Sequence, residues 1–135
     1  MINSSYTVLL CKDIEKEALF FRTALGFEET FVSDWYISLK EANGYEIAIM
    51  DYKHETIPEL YQVESQGIIL NFEVDNVEKV YEKMQDDLSE ILVMDIKVEE
   101  FGQKHFIVKS PNNTLVDIIE IIPPSEEFAK QYMDV

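Results

Sequence analysis

The sequence predicts an α+β protein assembled from two successive β-α-β-β-β modules, and three observations carry that prediction. Val8-Leu9-Leu10-Cys11-Lys12-Asp13-Ile14-Glu15-Lys16 reads again as Asn71-Phe72-Glu73-Val74-Asp75-Asn76-Val77-Glu78-Lys79, a β-prone run meeting an Asx residue and then an aliphatic residue and Glu-Lys. After each Asx residue, apolar side chains recur at helical spacing. Three strand-like runs then follow each helix.

Taken in order, the first run ends at Asp13, whose carboxylate can accept from the free amides of a first helical turn. Ile14, Ala18, Phe21 and Leu25 form the buried stripe of the helix that follows, and Gly26 supplies the left-handed residue that stops it. Strands are expected over 27–31, 35–39 and 45–50, the last two joined by the polar turn Lys40 to Gly44. The stretch from Tyr52 to Gln66, polar and acidic around Pro58, reads as a connector with one helical turn.

Asn76 opens the second helix, whose stripe is Val77, Val80, Tyr81, Met84 and Leu88. Strands over 91–98, 105–109 and 115–122 follow, with the turn Ser110 to Thr114 able to take positive φ at Asn112-Asn113. Pro123-Pro124-Ser125 begins a short closing helix. The chain therefore reads as one domain over residues 1–135: module one 4–51, connector 52–66, module two 67–122 and a tail helix over 123–135.

A length of 135 residues suffices for one core, and 47% hydrophobic residues with only 4 Gly and 4 Pro are those of a packed chain. Subtracting 27 acidic from 11 basic residues gives a net charge of -16, which repels nucleic acid and anionic membrane surfaces. The acid excess gives a solvated surface and favours a cationic ligand over an anionic one. Cys11 is the only cysteine, so no intramolecular disulfide and no cysteine-rich zinc site exists. Val8 to Cys11 is too short for a signal-peptide apolar region, and no uncharged run approaches bilayer length, so a cytoplasmic location is expected.

The opening Val8 to Lys16, with Phe20-Phe21-Arg22 and Leu25-Gly26-Phe27-Glu28 after it, resembles the start of the glyoxalase/bleomycin-resistance/extradiol-dioxygenase (vicinal oxygen chelate) superfamily. Phe72 to Val77 is similar to the start of that family's second module, and Phe101 to Phe106 through Ser110-Pro111-Asn112-Asn113 to its closing hairpin. The likeness spans roughly residues 5 to 122. Phe101, Ser110 and Asn113 stand where the family often has Trp, Asp and Gly. The resemblance implies curved mixed sheets around a cavity, helices on the outer faces, and a homodimer.

It also implies where a metal centre would lie. A His seven residues before each helix-capping residue and a Glu on each closing strand would be the ligands, and here those positions hold Tyr6, Ile69, Ala48 and Asp117. Asp117 alone has ordinary ligand chemistry, short of the three protein ligands a catalytic zinc takes or of a two-His-one-carboxylate iron site. His54, in the connector, reads as a surface residue, and His105 adds one imidazole, which does not complete a set. No metal and no cofactor are expected.

Strand alternation places Tyr6, Tyr36, Asn71, Glu73, His105 and Asp117 as the polar groups of a lining whose apolar part includes Val8 and Leu10, with Ser38 on the same face as Tyr36. Trp35 packs outward by the same parity, or stacks on a ligand if it stands at the cavity mouth or a dimer seam. Such a lining suits a small-molecule ligand, and two carboxylates in it favour a cation. Three functional readings result: a metal-independent protein that sequesters a cationic or aromatic molecule; a lyase, isomerase or dioxygenase working through an unusual metal site or a His105/Asp117 acid-base pair; or a regulatory or structural partner whose vestigial pocket is filled.

Overall fold

The computed structural model describes residues 1–133. Its backbone contacts fall into two compact units, Met1–Gly67 with Ser110–Thr114, and Ile68–Lys109 with the chain from Leu115 onward. The last two residues of the expected tail helix lie outside the described residues.

In the first unit, β1 (Thr7–Cys11) leads into α1 (Ile14–Leu25). Asp13 is the cap read from the sequence: extended backbone, with its carboxylate accepting from the Lys16 amide at 3.1 Å. Ile14, Ala18 and Phe21 bury one face of the helix against a sheet whose facing residues include Leu9, Ile37, Leu39 and Ile49, each 2% exposed or less. Each such side chain contributes on the order of 2 kcal/mol of transfer free energy. Gly26 ends the helix at φ 74°, its amide donating to the Arg22 carbonyl at 3.2 Å.

Three strands complete the unit: β2 (Glu28–Val32), β3 (Tyr36–Lys40) and β4 (Glu46–Asp51). Their sheet order is β1-β4-β3-β2, with β1 parallel to β4 and the remaining pairs antiparallel. The register of β2 shifts between Glu29 and Phe31, a bulge that re-aims Phe31. In the connector the helical turn is a 3-10 turn, Glu59–Tyr61.

The second unit repeats the plan with β5 (Ile69–Glu73), α2 (Val77–Lys83), β6 (Leu92–Glu99), β7 (Gln103–Lys109) and β8 (Leu115–Ile121) in the order β5-β8-β7-β6. Asn76 caps α2 by accepting from the Lys79 amide at 3.1 Å, and the Val77 amide is satisfied by Glu120 of β8 at 3.0 Å. Phe106, Val108, Val116 and Ile118 are fully buried on the helix side of this sheet, where Tyr81 meets Phe106 edge-on at 5.2 Å.

Both sheets are thus four-stranded and mixed, and the α+β architecture of two β-α-β-β-β repeats stands as read. One element differs. The stripe through Leu88 predicts a single helix, but α2 ends at Lys83 and a separate turn, α3 (Leu88–Ile91), carries Leu88 into the core. Gln85-Asp86-Asp87 intervenes, and two carboxylates at a helix C-terminus oppose its dipole. After β8 the tail holds one helical turn, α4 (Glu126–Ala129), with Ser125 as its cap.

Candidate functional site

The helix-free face of the second sheet carries four of the six candidate residues. Cross-strand pairing puts Asn71 opposite Asp117, and Ile119 between Glu73 and His105, so all four polar residues read from the second module share one face. Their accessibilities differ. Asn71 and Glu73, on edge strand β5, are exposed, whereas His105 and Asp117, on the two central strands, are 5% and 7% exposed.

His105 and Asp117 meet directly, Nδ1 to Oδ1 at 2.7 Å. The other ring nitrogen, Nε2, lies 3.0 Å from Oε2 of Glu99, and the second Glu99 oxygen is 3.3 Å from the Lys97 ammonium. Edge strand β6 supplies this second carboxylate. Lys97 pairs with His105 and Glu99 with Gln103, which gives both β6 side chains the same face as the imidazole. Burial works against a charged imidazole, but the hydrogen bonds to Glu99 and Asp117 outweigh it and hold the His105 pKa above its ordinary value. The hydrogen bond from His105 correspondingly holds Glu99 below the usual carboxylate value, with Lys97 adding to the effect. With the imidazole protonated, Lys97, Glu99, His105 and Asp117 form a chain whose formal charges cancel.

Glu99 was not among the residues read from the sequence. Its signal lay in the β6–β7 turn: once Glu99 pairs with Gln103, parity alone gives it the face of His105. Gly102, at φ 106°, closes that turn, and an added Cβ would meet the Ile122 carbonyl oxygen at 2.9 Å.

On the first sheet, Leu10, Met50 and Tyr36 are partners in one cross-strand row, and Val8, Ala48, Ser38 and Phe31 in the next. The Tyr36 phenol is pushed above its ordinary pKa by burial first and by the neighbouring Tyr6 phenol, while the Ser38 hydroxyl opposes the shift. Tyr6 precedes β1 and is 53% exposed. Trp35 stands just before β3 and stacks on His54, ring centroids 3.7 Å apart and 13° from parallel. His54 is therefore half-buried under the indole rather than free on the surface.

Tyr6 and Tyr36 thus belong to the first unit, and Asn71, Glu73, His105 and Asp117 to the second. A separate open recess of about 380 Å³, lined by residues such as Lys12, Lys16, Glu64 and Asn112 at the start of α1, includes none of the six.

The residues at the ligand positions implied by the resemblance do not fit a metal. Ala48 and Ile69 have no donor atom, and Asp117 Oδ1 is engaged by His105. The ring nitrogens of one imidazole diverge, so the carboxylates they bind do not converge with them on a common point. Among the described residues no group of three or more His, Cys, Asp or Glu side chains is arranged to hold a metal ion.

The fold matches solved structures. A glyoxalase/bleomycin resistance protein/dioxygenase family enzyme from Burkholderia phytofirmans PsJN superposes at a TM-score of 0.72 and 17% identity, over 87% of this chain and 98% of that one. A lactoylglutathione lyase from Agrobacterium tumefaciens gives 0.69 and 17%, over 88% and 94%. A glyoxalase/bleomycin resistance protein/dioxygenase from Nocardioides gives 0.68 and 13%, over 90% and 87%. At these identities the likeness is one of fold: the chain has the glyoxalase/bleomycin-resistance architecture that the resemblance implied. No protein-family model matches the sequence, and no curated protein matches it. No helix among the described residues is long and apolar enough to cross a membrane.

Proposed function

We propose that the chain is a metal-independent small-molecule binding protein, acting as a homodimer of single-domain subunits and sequestering a cationic or aromatic ligand through Tyr6, Tyr36, Asn71, Glu73, His105 and Asp117. The observation that carries this reading is the engagement of His105 at both ring nitrogens, 2.7 Å from Asp117 and 3.0 Å from Glu99. A general base needs a free lone pair within reach of a substrate proton. A doubly bound imidazolium has none, so this pair stores charge instead of shuttling it. The lyase, isomerase or dioxygenase alternative requires Glu99 to leave Nε2 first.

Glu73 is exposed on the same sheet face, which leaves one carboxylate open to a cation. Affinity for an organic cation then follows from charge attraction and ring contact. The test is calorimetric titration of 1-methylquinolinium and of naphthalene-2-sulfonate into the wild type and into a Glu73→Gln, Asp117→Asn double variant. Binding of the cation, weakened about tenfold in the double variant, is expected, since about 1.4 kcal/mol per decade is within reach of a charge-assisted contact. Preferential binding of the anion, an affinity that ignores both substitutions, or about one metal ion per chain by elemental analysis would overturn the proposal.

A further inference from the structure

The helix-free face of the first sheet differs in character from that of the second. Its two central rows, Leu10-Met50-Tyr36 and Val8-Ala48-Ser38-Phe31, contain no carboxylate and no ammonium, although 38 of the 135 residues (27 acidic plus 11 basic) are charged at neutral pH. Charged groups begin only one row further on, with Lys40 opposite Glu46. The rows are not simply apolar either. Tyr36 and Ser38 bring hydroxyls to them, and the Tyr6 phenol and the Ser38 hydroxyl both bear on that of Tyr36.

Aromatic rings border these hydroxyls. Phe31 meets Tyr36 edge-on at 6.2 Å and 65°, and Trp35, which also stacks on His54, meets Tyr36 at 5.5 Å and 58°. Phe31 is 53% exposed and is brought to this face by the bulge after Glu29. With the neighbouring Tyr36 ring it makes an aromatic edge on a strand that is exposed along its whole length.

We infer that Phe31, Tyr36, Tyr6 and Ser38 form a subsite for an uncharged planar aromatic ring bearing a hydrogen-bonding substituent, the ring stacking against Phe31 and Tyr36 and the substituent meeting the hydroxyls. This rests on the proposed binding function and sharpens its aromatic arm: the face selects against an ion of either sign, because its rows present no charge to offset the cost of desolvating one.

Trp35, the only tryptophan, sits against Tyr36 and reports on occupancy. The experiment titrates the intact protein with three probes sharing a nitrophenyl quencher: neutral 4-nitroanisole, anionic 4-nitrobenzoate and cationic (4-nitrobenzyl)trimethylammonium. Saturable quenching of Trp35 by the neutral probe is expected, at an affinity at least about fivefold above either ion. Phe31→Ala should weaken it about 5- to 10-fold, the range of an aromatic pair contact, and Phe31→Tyr should restore it. Leu60→Ser, 92% exposed in the connector, should leave it unchanged.

Linear, unsaturable quenching, tightest binding of an ion, or indifference to Phe31→Ala would overturn the subsite. If the neutral probe fails to quench saturably while the cationic probe binds by calorimetry and responds to Glu73→Gln, the subsite fails while the cation-binding reading stands. If no probe binds by either method, both fail.

Discussion

His105 Nδ1 and Asp117 Oδ1 lie 2.7 Å apart on the two central strands of the second sheet, the shortest contact that either ring nitrogen of His105 makes. Glu99 holds the opposite nitrogen from an edge strand. The two carboxylates are therefore unequal: one is 7% exposed in the middle of the sheet, the other sits where the sheet meets solvent.

That inequality sets a pH response. The His105 pKa is raised above 6.5, so the stability it contributes is complete below that value and is lost as pH rises through the folded-state pKa. Glu99 is lowered from 4.5, so its contribution is present above that value and fades as pH falls through its own folded-state pKa. Both act together between about 4.5 and 6.5. A neutral imidazole keeps only one N–H, and the buried Asp117 retains it, so Glu99 is the partner released. Imidazole NMR titration should give a His105 pKa above 6.5 that falls in both Asp117→Asn and Glu99→Gln. A pKa unchanged by Glu99→Gln would contradict the arrangement.

Gly102 connects this cluster to the backbone. A side chain there is strained at φ 106° and meets the Ile122 carbonyl oxygen, while the Gly102 amide and carbonyl are already bonded to Glu99 and Ile122 at 3.1 and 3.0 Å. Gly102→Ala should destabilise the protein by about 1–3 kcal/mol in denaturant unfolding and lower the His105 pKa, because the turn sets where Glu99 stands. A loss of stability with the pKa intact would separate the turn from the site.

Much of this was legible in advance because the information is local. The caps Asp13 and Asn76, the stop at Gly26 and the face parity of β5, β7 and β8 all follow from residue type and spacing, and the structure repeats them. What escaped was set by register and tertiary contact. The bulges of β6, between Leu92 and Lys97, break its alternation ahead of the stretch that the β6–β7 turn sets opposite His105, and nothing in its sequence announces them. The Trp35–His54 stack depends on the connector folding back onto β3, a contact between distant residues that no periodicity encodes. Glu17 is a third case: a glutamate on a helix reads as solvated, and it is fully buried.

Cys11 is fully buried, and its thiol pKa is pushed well above its ordinary value by burial and then by the nearby Glu17 and Glu64 carboxylates. The thiolate is the reactive form, so a disulfide-exchange reagent should leave native protein unlabelled and react at the rate of unfolding. Rapid native-state labelling at pH 8 would show the strand open.

Glu17 provides the sharpest stability test. Its carboxylate accepts from the Ser110 hydroxyl at 2.7 Å and the Asn112 amide at 2.9 Å, tying the Ser110–Thr114 turn to α1 inside the first unit. Burial raises its pKa despite these bonds, which work to lower it. A raised pKa means this group favours the folded state most below 4.5 and less as pH climbs through the folded value, because ionising it in the interior is costly. Glu17→Ala leaves the buried Ser110 hydroxyl and the half-buried Asn112 backbone amide without their partner, and at about 1–3 kcal/mol for each such group the loss is about 2–6 kcal/mol. Glu17→Gln keeps an oxygen for Asn112 and offers an amide hydrogen to Ser110, so its stability should stay within about 1 kcal/mol of wild type at neutral pH. It should also remove that part of the stability profile which declines from mild acid toward neutrality. Urea unfolding of the three proteins at pH 5 and 7 measures both effects, and a Gln variant as unstable as the Ala variant would show that the negative charge, not the hydrogen bonds, holds the turn.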